Sequence, residues 1–174
     1  MHPMLAGWVG MIGMILMTHF GVFQIVACAW QRAGVPVRPL MNKPVVSGSV
    51  AEFWGRRWNV AFRDLADRLW FRPLLARFGK SAAALGVFAI SGWLHELAIS
   101  VPAGGGYGLP FGYFAIQGIG LLVERRWLGG RPWTRRLWTW LVVAGPVFWL
   151  FHRTFVTNVI LPFMQAVGAL GGVP

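Results

Sequence analysis

Long apolar runs, separated by short polar or basic stretches, set the pattern of this chain. From Met4 to Trp30 no Lys, Arg, Asp or Glu interrupts the first run, and the first charge is Arg32. About twenty apolar residues in a helix cross a bilayer, so this run predicts a span. No basic stretch precedes it and no small-residue cleavage site follows, which argues against a signal peptide. A second run, Ser81 to Val101, carries His95 and Glu96 as its only ionisable residues. An uncharged Gly/Pro-rich stretch, Pro102 to Pro110, predicts a turn before a third run at Leu109 to Val123. A fourth run, Leu137 to Phe151, contains Pro146 and is expected to kink there. The tail from Thr154 to Leu170 is apolar but broken by Asn158 and Pro162. It reads equally as a fifth, broken span and as an interfacial helix. The pattern predicts an all-α membrane protein of about four to five transmembrane helices in a single polytopic domain over residues 1–174.

Between the first two runs the period changes. Val35 to Pro44 is proline-rich and reads as an extended connection. Ser49-Val-Ala-Glu52 has the form of a capping box, a hydroxyl for an orphan amide and a carboxylate three residues on. From there to Trp70 the residues sort at helical spacing, with Trp54, Trp58, Ala61, Phe62, Leu65 and Leu69 on one face. Glu52, Arg56, Asn59 and Arg63 fall on the other. One cytoplasmic, interfacial amphipathic helix is the element expected, its arginines meeting anionic headgroups.

Charge then orients the spans. Lys and Arg cluster between Arg32 and Lys80 and again between Arg125 and Arg136, with none between the second and third runs. By the positive-inside rule both basic loops are cytoplasmic and the N-terminus lies outside. This describes an integral, multi-pass protein, of the inner membrane if the source is bacterial. The net charge of +11 is thus a matter of topology, and no nucleic-acid partner is expected. Only 12% of residues are charged, against about 25% in soluble domains. The single cysteine, Cys28, excludes an internal disulfide.

The chemistry concentrates at His95-Glu96. Ionisable side chains near the middle of a span are costly, roughly 2.5 to 3.5 kcal/mol for a central Asp, Lys or Arg on insertion scales, and they mark functional sites by default. No metal site is expected: position 99, where a second zinc-binding histidine would fall, is Ile99. Leu74 stands where a phosphate-binding loop ending in Gly79-Lys80-Ser81 needs glycine. His19 either lines a cavity or is a packed histidine, and His152 reads as interfacial.

Phe53-Trp54-Gly55-Arg56-Arg57-Trp58-Asn59, followed by Ser91-Gly92-Trp93-Leu94-His95-Glu96-Leu97, resembles the wax synthase-like branch of the membrane-bound O-acyltransferases. The resemblance covers residues 44–126. It implies a membrane enzyme that moves a long acyl chain from acyl-CoA to a lipophilic alcohol, giving a wax ester or neutral lipid. His95 matches the family's intramembrane histidine, Asn59 its motif asparagine and Glu96 the acidic neighbour. In that chemistry an imidazole with an ordinary pKa near ~6.5 serves as base, and an amide such as that of Asn59 stabilises the oxyanion or orients His95. Ser91, one turn before His95, and Glu96 are expected in support. Arg56, Arg57 and Arg63 are candidates for the phosphates of acyl-CoA, although arginines there also serve topology alone. Acyl-CoA is a co-substrate, and no cofactor is implied. The expected partners are the bilayer, acyl-CoA and a fatty or other lipophilic alcohol, with a partner subunit or second copy also open. The family's usual larger number of spans makes this chain either a short member or the C-terminal half of a larger architecture. Two alternatives stand beside the enzyme: an inactive or split subunit acting as a scaffold, and a glycan O-acetyltransferase.

Overall fold

The computed structural model describes residues 2–128 and 131–169, so position 170 of the tail lies outside it. Every regular element among the described residues is helical. The first run forms α1 (Pro3–Arg32), with a π-helical stretch at Met17–Val22. Proline in its first turn suits a helix start, where the missing N–H has no partner to lose. Residues 35–43 form no regular element, as their prolines predict. Ser49 then opens a short helix, α2 (50–57), its hydroxyl accepting the Glu52 N–H at 2.9 Å. The capping-box expectation holds locally, with the Glu52 carboxylate reaching the Gly48 N–H at 2.8 Å.

The single amphipathic helix expected from Ser49 to Trp70 is instead two helices. Trp58 is extended (φ −96°, ψ 127°) and Asn59 is left-handed (φ 42°, ψ 63°), so the chain turns before α3 (60–78) begins. Asparagine visits that backbone region more readily than other side-chain-bearing residues. Its Oδ1 then accepts the Phe62 N–H at 3.1 Å and caps the new helix. The break is held from outside: the Asn42 N–H donates to the Arg57 carbonyl at 2.8 Å, and the Val60 N–H to the Leu40 carbonyl at 2.9 Å. Periodicity counted through position 59 merges faces that belong to different helices.

α3 continues into α4 (80–103) through Gly79, whose φ of 78° and ψ of 173° are accessible essentially to glycine alone. A straight helix would set residues 74 and 86 about 18 Å apart. Here the Leu74 side chain lies 2.7 Å from the position of a Cβ on Gly86, so the two arms fold toward each other at Gly79. After the glycine-rich turn come α5 (Leu109–Trp127), α6 (Pro132–Leu150) and α7 (Arg153–Ala166), the last two bent by 54°. α4 and α5 pack closely where a Cβ on Gly92 would stand 3.0 Å from the Phe111 Cα. Val50, Ala84, Phe88, Tyr113, Phe114, Leu121 and Val142 form the main core between α2, α4, α5 and α6. Met11 with Val156, Ile160 and Met164 ties α1 to α7.

Among the described residues, two helices can cross a membrane by length and composition, α1 and the stretch Val60–Ala103, or three if α6 and α7 form one broken span. The expected break at Pro146 is present: the helix that starts at Pro132 ends at Ala144 and resumes at Val147. Pro146 has no N–H, so the Val142 carbonyl one turn earlier loses its helical donor. The Gln117 amide fills that position at 2.7 Å, and the Tyr113 hydroxyl donates to the Val143 carbonyl at 3.0 Å. Gln117 Oε1 also accepts the Trp54 indole N–H at 3.1 Å, which joins α2 to α5 and α6. Gln117→Leu strands both the carbonyl and the indole. We expect a loss of roughly 1–3 kcal/mol for each unpaired group, read as a lower unfolding temperature in detergent; an unchanged temperature would contradict the bridge.

Candidate active site

His95 ends the long α-helical part of α4, and a π-helical turn, Glu96–Ser100, follows it directly. Such turns recur at functional sites because they re-aim side chains out of helical register. The His95 ring sits 4.4 Å, centroid to centroid, from Phe114 of α5. Its Nδ1 lies 2.7 Å from the Ser91 carbonyl oxygen. A carbonyl only accepts, so Nδ1 carries the proton and Nε2 keeps its lone pair. That is the tautomer a general base needs. Ser91 therefore meets His95 through its backbone, not through the hydroxyl expected to share its face.

Glu96 turns the other way. Its Oε1 accepts the Gly108 N–H at 2.9 Å and the Phe111 N–H at 3.0 Å, at the start of α5. A carboxylate at a helix N-terminus satisfies orphan amides and complements the helix dipole. Its second oxygen, Oε2, is buried with no partner in the structure.

Asn59 and His95 share no hydrogen bond. Asn59 stands at the break between α2 and α3, with Oδ1 committed to the Phe62 amide and Nδ2 left as a donor. Beside it opens a cleft of about 370 Å³ lined by Arg38, Met41, Asn42, Arg56, Val60 and Arg63. Arg63 holds Asp64 at 2.9 Å, while its Nε is buried without an acceptor. Arg57, grouped with Arg56 and Arg63 on sequence, does not line this cleft. It pairs with Glu52 at 2.6 Å and donates to the Asn42 carbonyl at 3.2 Å, so it braces the break.

Several site residues were not apparent from sequence. Arg38 joins the cleft from the proline-rich connection. Trp54 touches Phe114, so Phe114 has the motif indole and the His95 ring as neighbours. Glu124 of α5, buried, accepts the Val50 N–H at 2.6 Å and so caps α2. Its signal is a carboxylate that directly follows the third apolar run, Leu109 to Val123. His152 is no free interfacial side chain: it is buried, and its Nδ1 accepts the Phe155 N–H at 3.2 Å as an N-cap. His19 is packed, its ring stacked on Trp58 with centroids 5.8 Å apart. Among the described residues, no three His, Cys, Asp or Glu side chains gather as a metal site would require.

Residues 37–116 match the membrane bound O-acyl transferase family. A long-chain-alcohol O-fatty-acyltransferase of Simmondsia chinensis is 32% identical over 72 residues, covering 37% of this chain and 20% of that protein. A probable long-chain-alcohol O-fatty-acyltransferase of Arabidopsis thaliana is 30% identical over 162 residues, covering 80% of this chain and 46% of its own length. Human diacylglycerol O-acyltransferase 1 is 29% identical over 128 residues, 69% of this chain and 25% of that protein. The chain thus spans less than half the length of these relatives. No solved structure matches it.

The brace at the break is sensitive to pH in one direction. The Gly48 N–H above all holds the Glu52 carboxyl below the ordinary carboxylate value; burial opposes it, and Arg57 and then Arg56 add to the lowering. The folded form therefore binds this proton more weakly than the unfolded one. Its contribution is complete above the ordinary carboxylate pKa and fades as pH falls through that value toward the lowered one. Glu52→Gln is expected to lower the unfolding temperature at neutral pH and to match the parent once the carboxylate is protonated. A gap that widens on acidification would contradict this account.

Proposed function

We propose that this chain, whose residues 37–116 match the membrane bound O-acyl transferase family, is a member of that family and transfers a long acyl chain from acyl-CoA to a lipophilic alcohol, yielding a wax ester or neutral lipid. The observation that carries the proposal is His95, with Nδ1 held by the Ser91 carbonyl and Nε2 free, on an apolar helix within the matched region. In the reaction Nε2 takes the hydroxyl proton as the alcohol oxygen attacks the thioester carbonyl. The tetrahedral oxyanion collapses, the carbon–sulfur bond breaks, and the departing thiolate of CoA takes the proton back from His95. Both electron pairs and the proton are accounted for without a covalent acyl-enzyme. The Asn59 Nδ2 donor serves the acyl-CoA side of the reaction, on the thioester carbonyl or the oxyanion. An apolar surround keeps water from competing for the thioester.

The cleft beside Asn59 supports acyl-CoA as donor, because three guanidinium groups there suit pyrophosphate and ribose phosphate. Arg56 of the motif and Arg63 of α3 are the binding residues, joined by Arg38 from the proline-rich connection, while Arg57 acts through its brace on Glu52. In the membrane we place α1, α4, α5 and α6 as spans of one polytopic domain, with α7 completing a fifth, and both basic loops in the cytoplasm. The names of the relatives support a long-chain alcohol as acceptor, with diacylglycerol and sterol next. One observation favours a second reading, a subunit that works with a partner: α1 exposes Leu5, Val9, Ile12, Leu16 and Phe20 along its length.

Membranes containing the chain, given labelled acyl-CoA and a panel of fatty alcohols, diacylglycerol and sterol, are expected to form ester. His95→Ala should reduce turnover at least about a hundredfold while insertion is unchanged. Turnover retained by that variant removes the assignment of the base. Arg56→Gln with Arg63→Gln is expected to raise the KM for acyl-CoA several-fold and leave kcat nearly intact; an unchanged KM removes the cleft from donor binding.

A further inference from the structure

α3 exposes leucine and arginine together along its length. Leu65, Arg68, Leu69, Arg72 and Leu75 are all exposed, on either side of and within the π-helical turn Asp67–Phe71. Away from this surface Ala66 is buried and Leu74 reaches α4. Past the end of this face stand Arg77, Phe78 (62% exposed) and Lys80, around the bend at Gly79. Arg72 pairs with Asp67 at 2.8 Å, whereas Arg68, Arg77 and Lys80 enter no ion pair with a described residue. Between residues 60 and 80 five cations face two acids, Asp64 and Asp67, so the arm is net positive.

Neither bulk phase suits such a face. Water disfavours the leucines and Phe78, and hydrocarbon disfavours free guanidinium and ammonium groups. The boundary between headgroups and acyl chains accepts both, because long cationic side chains lay their stems along apolar surface and keep their heads at the phosphates. We propose that this face binds anionic phospholipid headgroups and docks α3 in the headgroup layer of the leaflet where the chain bends at Gly79. The interleaved charge commits the face to an anionic lipid over a neutral one. Because Val60 and Arg63 of α3 line the cleft, the same docking fixes one wall of the cleft against the membrane surface.

The test needs no turnover, so it stands apart from the acyltransfer reading. In a Cys28→Ser background, Ala76→Cys on the exposed face carries a nitroxide, and the full chain is reconstituted in two kinds of vesicle. One is phosphatidylcholine alone and the other contains about one third phosphatidylglycerol. Collision of the label with a neutral nickel chelate, relative to oxygen, reports depth. Chelate access is expected to fall several-fold in the anionic vesicles and to recover in Arg68→Gln with Arg77→Gln and Lys80→Gln. High salt, which screens exposed charge, should reverse the effect in the otherwise unaltered chain and covers the case where the triple variant does not reconstitute. Equal access in both vesicles overturns the proposal. So does protection that follows protein-to-lipid ratio instead of phosphatidylglycerol, which assigns the face to a second copy.

Discussion

At the start of α5 the Gly108 and Phe111 N–H groups, which have no helical partner of their own, both donate to one carboxylate oxygen of the buried Glu96. Each side of that contact needs the other. A buried carboxylate is costly unless donors reach it, and the first amides of a helix have no intrahelical acceptor. The contact also sets the register of α5 against α4. Phe114 lies one helical turn beyond Phe111, which brings its ring to His95. From Phe114 the contacts continue to Trp54, from Trp54 to Gln117, and from Gln117 to the carbonyl freed at Pro146. Glu96 thus acts on the His95 side chain without touching it, by fixing the helix that packs against it.

The same device recurs at several helix starts and breaks. Glu124 caps α2, Asn59 caps α3, His152 caps the start of α7, and Tyr113 with Gln117 serves the gap in α6. In hydrocarbon no water is present to satisfy freed backbone groups, so irregular backbone survives only where protein supplies the partners. A chain with few polar side chains therefore spends several of them on its own joints. Ionisable residues inside apolar runs consequently mix two roles, and sequence position does not separate them. His95 and Glu96 are neighbours, yet one presents a free nitrogen and the other holds a helix.

What was legible in the sequence is local. Apolar runs gave the helices, Pro146 gave the gap, and the spacing of Ser49 and Glu52 gave the cap, because each depends on residues within one turn. The break at Asn59 was hidden because it depends on Leu40 and Asn42, far away in the chain, pairing with the backbone on either side of it. The engagement of Arg57 was hidden for the same reason. Gln117 was accessible by argument: Pro146 deprives the Val142 carbonyl of its donor, and an amide in the middle of a neighbouring apolar run is a natural replacement. Applying to that amide the reasoning applied to His95 would have found it.

The break at Asn59 also explains why the motif packs so many unlike residues together. The turn Phe53–Arg57 is π-helical, and its successive side chains leave in different directions. Trp54 goes inward to Phe114 and Gln117, Arg56 lines the cationic cleft, and Arg57 folds back on Glu52. An interior that excludes water and a cleft that gathers positive charge have opposite requirements for their surroundings. One short turn serves both because adjacent residues face different media, and Arg57 holds that turn in place. The aromatic Trp-Asn motif is a joint: Trp54 reaches the layer of His95, Arg56 faces the charged cleft, Arg57 braces the turn, and Asn59 lets the chain change direction.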